Sequence, residues 1–153
     1  MTKERKPFRE WGSDSLELSK QLIAEFEGFR AHAYKCQAGV WTIGYGHTKG
    51  VKEGMTISED EAEKLLWGYC VRLKNSIASL VTAPVTEGQF IALMSFTYNV
   101  GLGNLQKSTL LRKLNKEDYS GASEEFFRWV NVKGKFSQGL WNRRKEEKAH
   151  FEA

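Results

Sequence analysis

Glu27-Gly28-Phe29-Arg30, Tyr34-Lys35-Cys36 and Gly39-Val40-Trp41-Thr42-Ile43-Gly44-Tyr45-Gly46-His47-Thr48 follow one another within 22 residues. A carboxylate ends an apolar-periodic segment, and a glycine-rich segment follows at once. Tyr34, Val40, Trp41, Thr42 and Ile43 favour strands, and Ala38-Gly39 marks a turn between them. With Gly39 at the turn centre, Cys36 lies directly opposite Thr42. Directly opposed residues share a face, with Cβ atoms about 5 Å apart. A thiol and a hydroxyl so placed can hold one water between them, and a bulge or a slip would break the pairing. Gly44 and Gly46 permit positive φ and close approach of a chain or ligand.

Upstream, Leu18, Leu22, Phe26 and Phe29 recur at helical spacing. Asp14 and Glu17 have the spacing of a capping box. A helix is predicted from about residue 15 to about residue 29, with Gly28 helping to end it. Residues 1–13 are polar and aperiodic and read as a flexible extension. The remainder, 14–153, reads as a single domain.

Downstream, Ser58 and Glu61 cap a helix carrying Leu65, Leu66, Tyr69, Cys70, Leu73, Ile77 and Leu80, about six turns long. Thr86 and Gln89 open a buried-looking helix with Phe90, Leu93, Met94, Thr97 and Tyr98, stopped by Gly101 and Gly103. Short helices are predicted over 108–115 and 119–130, a loop through Lys133-Gly134-Lys135 and Gln138-Gly139, and a last helix from Leu140 to Phe151. The fold class is α+β, mainly α-helical. A small hairpin lobe (about 28–57) and a larger helical lobe (about 84–153) are joined by a long helix (about 59–81).

This pattern resembles the phage-type lysozymes, the endolysins of glycoside hydrolase family 24. Their signature is a Glu, eight residues, an Asp, five residues, a Thr, then Gly-x-Gly-His. The chain keeps every element but one: Cys36 stands at the Asp position. The resemblance covers about residues 15–151 and is strongest over 25–48. It implies a lysozyme-like two-lobe fold with a substrate cleft between the lobes. It also implies Glu27 as general acid, Thr42 as the threonine that holds the attacking water, and Cys36 in place of the aspartate.

The chemistry explains the residue types. A glycosidic bond breaks when its leaving oxygen is protonated as the sugar carbon becomes cationic. The acid must keep its proton near neutral pH, which apolar surroundings favour and a neighbouring cation opposes. An Asp at the second position acts as base toward water or stabilises the cationic sugar. A thiolate at Cys36 can act as base or nucleophile, and a thiol can still orient water with Thr42. Without the motif, Glu27 reads as a solvated helix carboxylate, Thr42 as a β-branched strand residue and Cys36 as a small buried residue.

By the same resemblance Gly46, Tyr98 and Asn99 line the saccharide site, with Ser108 and Thr109 closing its other side. Arg143, in the Asn142-Arg143 pair, reaches and orients the acid. His47 reads as a structural hydrogen-bonding residue. Tyr98 offers a ring face and a hydroxyl to sugar, and reads equally as a buried aromatic.

The implied activity is an N-acetylmuramidase that hydrolyses the β-1,4 bond between N-acetylmuramic acid and N-acetylglucosamine. A lytic transglycosylase, and a wall-binding lysozyme-like domain that lost catalysis with the Asp, remain alternatives. No cofactor or metal is implied, since three scattered histidines and two cysteines match no zinc-ligand spacing.

Formal net charge is +4, which favours anionic partners such as cell-envelope polymers. Seven basic side chains against two acidic ones between 128 and 148 read as a basic patch or a solvated helix face. No helix-turn-helix or RNA-binding pattern appears, so nucleic acid is not an expected partner. Cys36 and Cys70 read as two reduced thiols, with a single bridge between them as the alternative. No signal peptide or membrane anchor is recognised. The expectation is a monomer held in the host cytoplasm until a holin releases it to bacterial peptidoglycan.

Overall fold

The computed structural model describes residues 3–153. Seven α-helices and two small antiparallel hairpins occur in the order α1 (Ser13–Glu27), β1 (Arg30–Lys35), β2 (Trp41–Gly44), α2 (Glu59–Ala78), α3 (Glu87–Val100), α4 (Leu102–Lys107), α5 (Thr109–Asn115), α6 (Tyr119–Glu124), β3 (Asn131–Val132), β4 (Lys135–Phe136) and α7 (Gln138–Glu152). This is the expected mainly helical α+β architecture. Among the described residues, no helix is long and apolar enough to cross a membrane.

Local chemistry sets most helix ends. Ser58 accepts the Glu61 amide at the start of α2. Thr86 and Gln89 form a complete reciprocal capping box on α3, which satisfies two amides that the first turn leaves without carbonyl partners. Gly28, at φ 72°, ends α1 while its amide still donates to the Ala24 carbonyl. The predicted Asp14–Glu17 box does not form. Helix α1 starts earlier, with Gly12 as its cap, and Asp14 lies in the first turn, where a carboxylate favours the positive end of the helix dipole. Leu18 is exposed, and α1 turns Leu16, Leu22 and Ile23 inward instead.

The first segment of the chain corrects an expectation. Met1 and Thr2 lie outside the described residues, but Lys6 to Trp11 form no loose extension. Lys6 and Val85 exchange backbone hydrogen bonds of 3.0 and 2.9 Å. Phe8 is 1% exposed, and its ring lies 4.5 Å from that of Phe90. The Trp11 indole donates to the Val85 carbonyl. Two aromatic side chains outweigh a polar composition, because burying each one removes a large apolar area from water.

Helix α3 is buried along most of its length. It packs against α1, α2 and α7, with Phe96 in edge contact with Phe126 and Trp129. The predicted 119–130 helix is α6 followed by a 3-10 turn over Glu125–Arg128. The predicted loop holds the β3–β4 hairpin, with Lys133 and Gly134 at positive φ in its turn.

The β1–β2 register differs from the expectation. Tyr34 pairs with Thr42 and Lys35 with Trp41, with an irregularity between Arg30 and Tyr34. Gly39, at φ 80°, is the last residue of a three-residue loop rather than its centre. The Cys36 amide donates to the Val40 carbonyl. Three-residue hairpin loops take this form, with a left-handed residue closing the turn. Cys36 therefore faces Val40 and is a diagonal neighbour of Thr42 on the same face, roughly 7–8 Å away along the backbone and closer between side chains.

Candidate active site

One cleft of about 680 Å³ lies where the end of α1, the residues after β2, α2 and α3 converge. Glu27 comes from α1, Gly44 to Lys49 from the hairpin exit, Leu65, Tyr69 and Arg72 from α2, and Tyr98 and Asn99 from α3. Each arrives for a local reason. Gly28 ends α1, so Glu27 is its last residue. Gly44 and Gly46, both at positive φ, fold the hairpin exit back toward it.

Glu27 retains 23% of its side-chain exposure, and Arg143 only 7%. Arg143 Nη1 donates to Glu27 Oε2 at 2.8 Å. The other oxygen, Oε1, lies near Gly46: a Cβ there would sit 3.4 Å from Glu27 Oε1 and 3.3 Å from Tyr98 Oη. Glycine is thus favoured by its φ of 87°, and a Cβ would also crowd the Tyr98 hydroxyl and the Glu27 carboxyl. The Tyr98 hydroxyl donates to the Tyr45 carbonyl. Burial, followed by the nearby Glu27 charge, raises the Tyr98 pKa, so it remains a neutral phenol at working pH.

Behind Arg143 stands a buried polar cluster. Arg143 Nε donates to Glu147 Oε2 at 3.2 Å, and its Nη2 to the Ser95 carbonyl at 3.0 Å. Ser95 Oγ donates to Glu147 Oε2 at 2.6 Å. Arg144 Nε lies 2.7 Å from Glu147 Oε1, and Arg144 Nη2 donates to Asn99 Oδ1 at 2.8 Å. Arg143, Arg144 and Glu147 are buried. They therefore leave the basic surface patch expected over 128–148.

The cleft brings together Glu27, Gly46, Tyr98 and Asn99, with Arg143 on the Glu27 carboxyl from behind. Its walls include neither Cys36 nor Thr42. Thr42 is buried, and its hydroxyl donates to the Val40 carbonyl at 2.9 Å, leaving its oxygen free to accept. Cys36 is half-exposed and unpaired. Backbone hydrogen bonding at Val40 and then Ala38 holds its thiol below the ordinary pKa, with a smaller contribution from the Thr42 hydroxyl.

Ser108 and Thr109 do not join this cleft and line a separate depression with Glu125 and Trp129. Ser108 caps α5 by accepting the Leu111 amide, and Thr109 accepts from Arg112. Sequence reasoning missed Leu65, Tyr69 and Arg72 as cleft residues. Leu65 and Tyr69 carried the same periodic signal as core positions, yet they are 40% and 46% exposed on the cleft side of α2. Among the described residues, no cluster of potential metal ligands occurs.

Residues 24–147 match the phage lysozyme family. The chain belongs to that family, and with it to the glycoside hydrolases. It is 42% identical to an endolysin of Acyrthosiphon pisum secondary endosymbiont phage 1 over 136 residues, 86% of this chain and 93% of the relative. Its fold is similar to the muramidase domain of SpmX from Asticaccaulis excentricus, with a TM-score of 0.83 at 32% identity, covering 89% and 95% of the two chains. It is also similar to an endolysin from Escherichia coli O157:H7 phage FAHEc1, with a TM-score of 0.80 at 35% identity, covering 87% and 89%. Set beside the family, the cleft between hairpin and helices is the candidate active site.

Proposed function

We propose that the chain is a peptidoglycan-degrading endolysin that hydrolyses the β-1,4 bond between N-acetylmuramic acid and N-acetylglucosamine. The observation that carries this reading is Glu27: a single partly exposed carboxyl in the cleft wall, held by Arg143 on one oxygen with the other beside Gly46 and Tyr98. One carboxyl oxygen is thus anchored, and the other is placed where a leaving oxygen can meet it.

In the proposed reaction the Glu27 carboxyl protonates the leaving oxygen as the C–O bond breaks. Water attacks the anomeric carbon from the hairpin side, and Thr42 accepts a hydrogen bond from that water. Cys36, whose thiol ionises below its usual range, takes the water's proton as thiolate. The sugar carbon ends bearing the new hydroxyl, and the departing alcohol carries the proton from Glu27. Gly46, Tyr98 and Asn99 hold the glycan, and Ser108 and Thr109 lie outside that role. Outside the cleft, basic side chains such as Lys133 and Lys135 offer contact to anionic envelope polymers. The protein works as a monomer that reaches the wall after a holin opens the way, and nucleic acid is not a partner.

One observation favours a second reading, a lytic transglycosylase. Neither Cys36 nor Thr42 lies in the cleft wall, and a transglycosylase needs the acid but no positioned water. Mass spectrometry of fragments released from purified peptidoglycan separates the two. Reducing muramic ends are expected; anhydro ends, lighter by one water, would replace the hydrolase reading with the second. Glu27→Gln is expected to lower release by at least about a hundredfold, the scale of general acid catalysis, while circular dichroism stays unchanged. Full activity in that variant would remove Glu27 from the mechanism.

A further inference from the structure

Glu147 touches neither the cleft nor any substrate position, yet it contacts both arginines that reach cleft residues. It is fully buried on α7. On one side Oε2 accepts from Arg143 Nε, and Arg143 continues to Glu27. On the other, Oε1 lies against Arg144 Nε, and Arg144 continues to Asn99. Ser95 of α3 donates to Oε2 and fixes the carboxyl itself. Arg144 also donates to the Trp129 carbonyl, and its guanidinium lies 5.1 Å from the Phe96 ring.

We propose that Glu147 is a positioning residue that sets, through Arg143 and Arg144, the placement of the Glu27 carboxyl relative to the Asn99 amide. The inference rests on the glycan-cleaving reading of the cleft given above. Its physical basis is directional. Arg143 has donors committed to Glu27, Glu147 and the Ser95 carbonyl, so its plane is held at three points. Arg144 is held the same way and presents Nη2 to Asn99 Oδ1. With its oxygen occupied by Arg144, the Asn99 amide keeps its NH2 donors for other partners, and Asn99 lines the cleft. One buried carboxyl thereby aligns a proton donor and a sugar-binding donor that sit on different helices. Placement errors of about 1 Å at such groups cost on the order of a hundredfold in rate.

A carboxyl with only a structural role would still destabilise the fold when removed, since Arg143 and Arg144 would be left as less compensated buried charges. Such a role would change the folded fraction but not the turnover of folded molecules. Glu147→Gln keeps the shape and removes the charge that gathers the two guanidiniums. Steady-state cleavage of soluble, uncrosslinked peptidoglycan strands should be measured per folded molecule, with folding counted by near-ultraviolet circular dichroism. The expected result is a fall in kcat of about tenfold or more, the scale of a hydrogen bond to a charged group, with KM raised a few-fold through Asn99. Unchanged kcat and KM in folded E147Q would overturn the inference.

Should E147Q fail to fold, Ser95→Ala carries the test, since it removes one hydroxyl and leaves all charges. It should lower kcat several-fold. It should also release the slowly rotating guanidinium signals of Arg143 and Arg144 expected in 15N NMR spectra of the parent protein. An S95A protein with parental kcat and parental guanidinium signals would overturn the inference. If the parent protein itself releases no fragments, the glycan-cleaving reading fails instead, and the two failures are distinct.

Discussion

At Gly46 the backbone and the candidate active site meet in one atom's absence. The residue holds φ at 87°, and an added Cβ would press on both Tyr98 Oη and Glu27 Oε1. Gly46→Ala is expected to destabilise the fold by about 1 kcal/mol or more and to displace Glu27. Thermal melts and fragment release should therefore fall together; a variant with parental activity would show that the approach at Gly46 is not needed. The two cysteines make a second residue-scale contrast. Cys36 is half-exposed with a lowered thiol pKa, whereas burial pushes the Cys70 thiol up to about 12. Iodoacetamide at pH 8 should label Cys36 in the folded protein and Cys70 only on unfolding, as peptide mapping would show. Equal labelling rates would contradict the placement of both. Because the proposed mechanism uses the Cys36 thiolate, the labelled protein should also lose most of its activity.

Elements, in contrast, were legible wherever their ends are made of local chemistry. Ser58 and Thr86 announced α2 and α3 because a capping side chain and the amide it satisfies are three residues apart. Asp14 and Glu17 have the same spacing without the structure, since Gly12 starts α1 earlier. The hairpin between β1 and β2 was legible as a hairpin, but its register depended on which loop position Gly39 takes. The segment before α1 was misread, because a polar stretch with two aromatic residues carries no period to count. Phe8 tests its contribution. Phe8→Ala removes a ring packed at a tilt against Phe90 at 1% exposure, and should cost about 3–5 kcal/mol in urea unfolding. A loss below about 1 kcal/mol would mean that the segment is held by its backbone pairing with Val85 and by Trp11 rather than by Phe8.

Over the whole molecule, buried ionisable groups tie stability to pH. Cys70 is fully buried, and its thiol pKa in the fold lies above its ordinary value of 9.0, at about 12. Burial likewise raises Tyr98 and Tyr45. In each case the unfolded chain ionises first. The stability is therefore complete below the unfolded value and is lost as pH rises toward the folded one. Urea midpoints should hold to about pH 8 and then fall steadily between about 9 and 12, and Cys70→Ala should make that fall shallower. A midpoint independent of pH across this range would show that these groups are more solvated than the structure places them.

The candidate site divides along the same line. Gly28 and the helix caps stand within a few residues of the groups they act on, and Glu27 and the hairpin glycines fall within one short motif, so spacing along the chain was enough to single them out. The lysozyme-type motif is compact for that reason. Arg143 reaches Glu27 across 116 positions; it was expected by resemblance, and only packing of α7 on α3 brings it there. The charge run in α7 read as surface, yet Arg143, Arg144 and Glu147 are buried because each finds an opposite charge that composition cannot locate. Leu65 and Tyr69 read as core because periodicity reports which face of a helix is apolar, not what that face meets. Here it meets an open cleft, and that follows from where the hairpin, α2 and α3 stand in space.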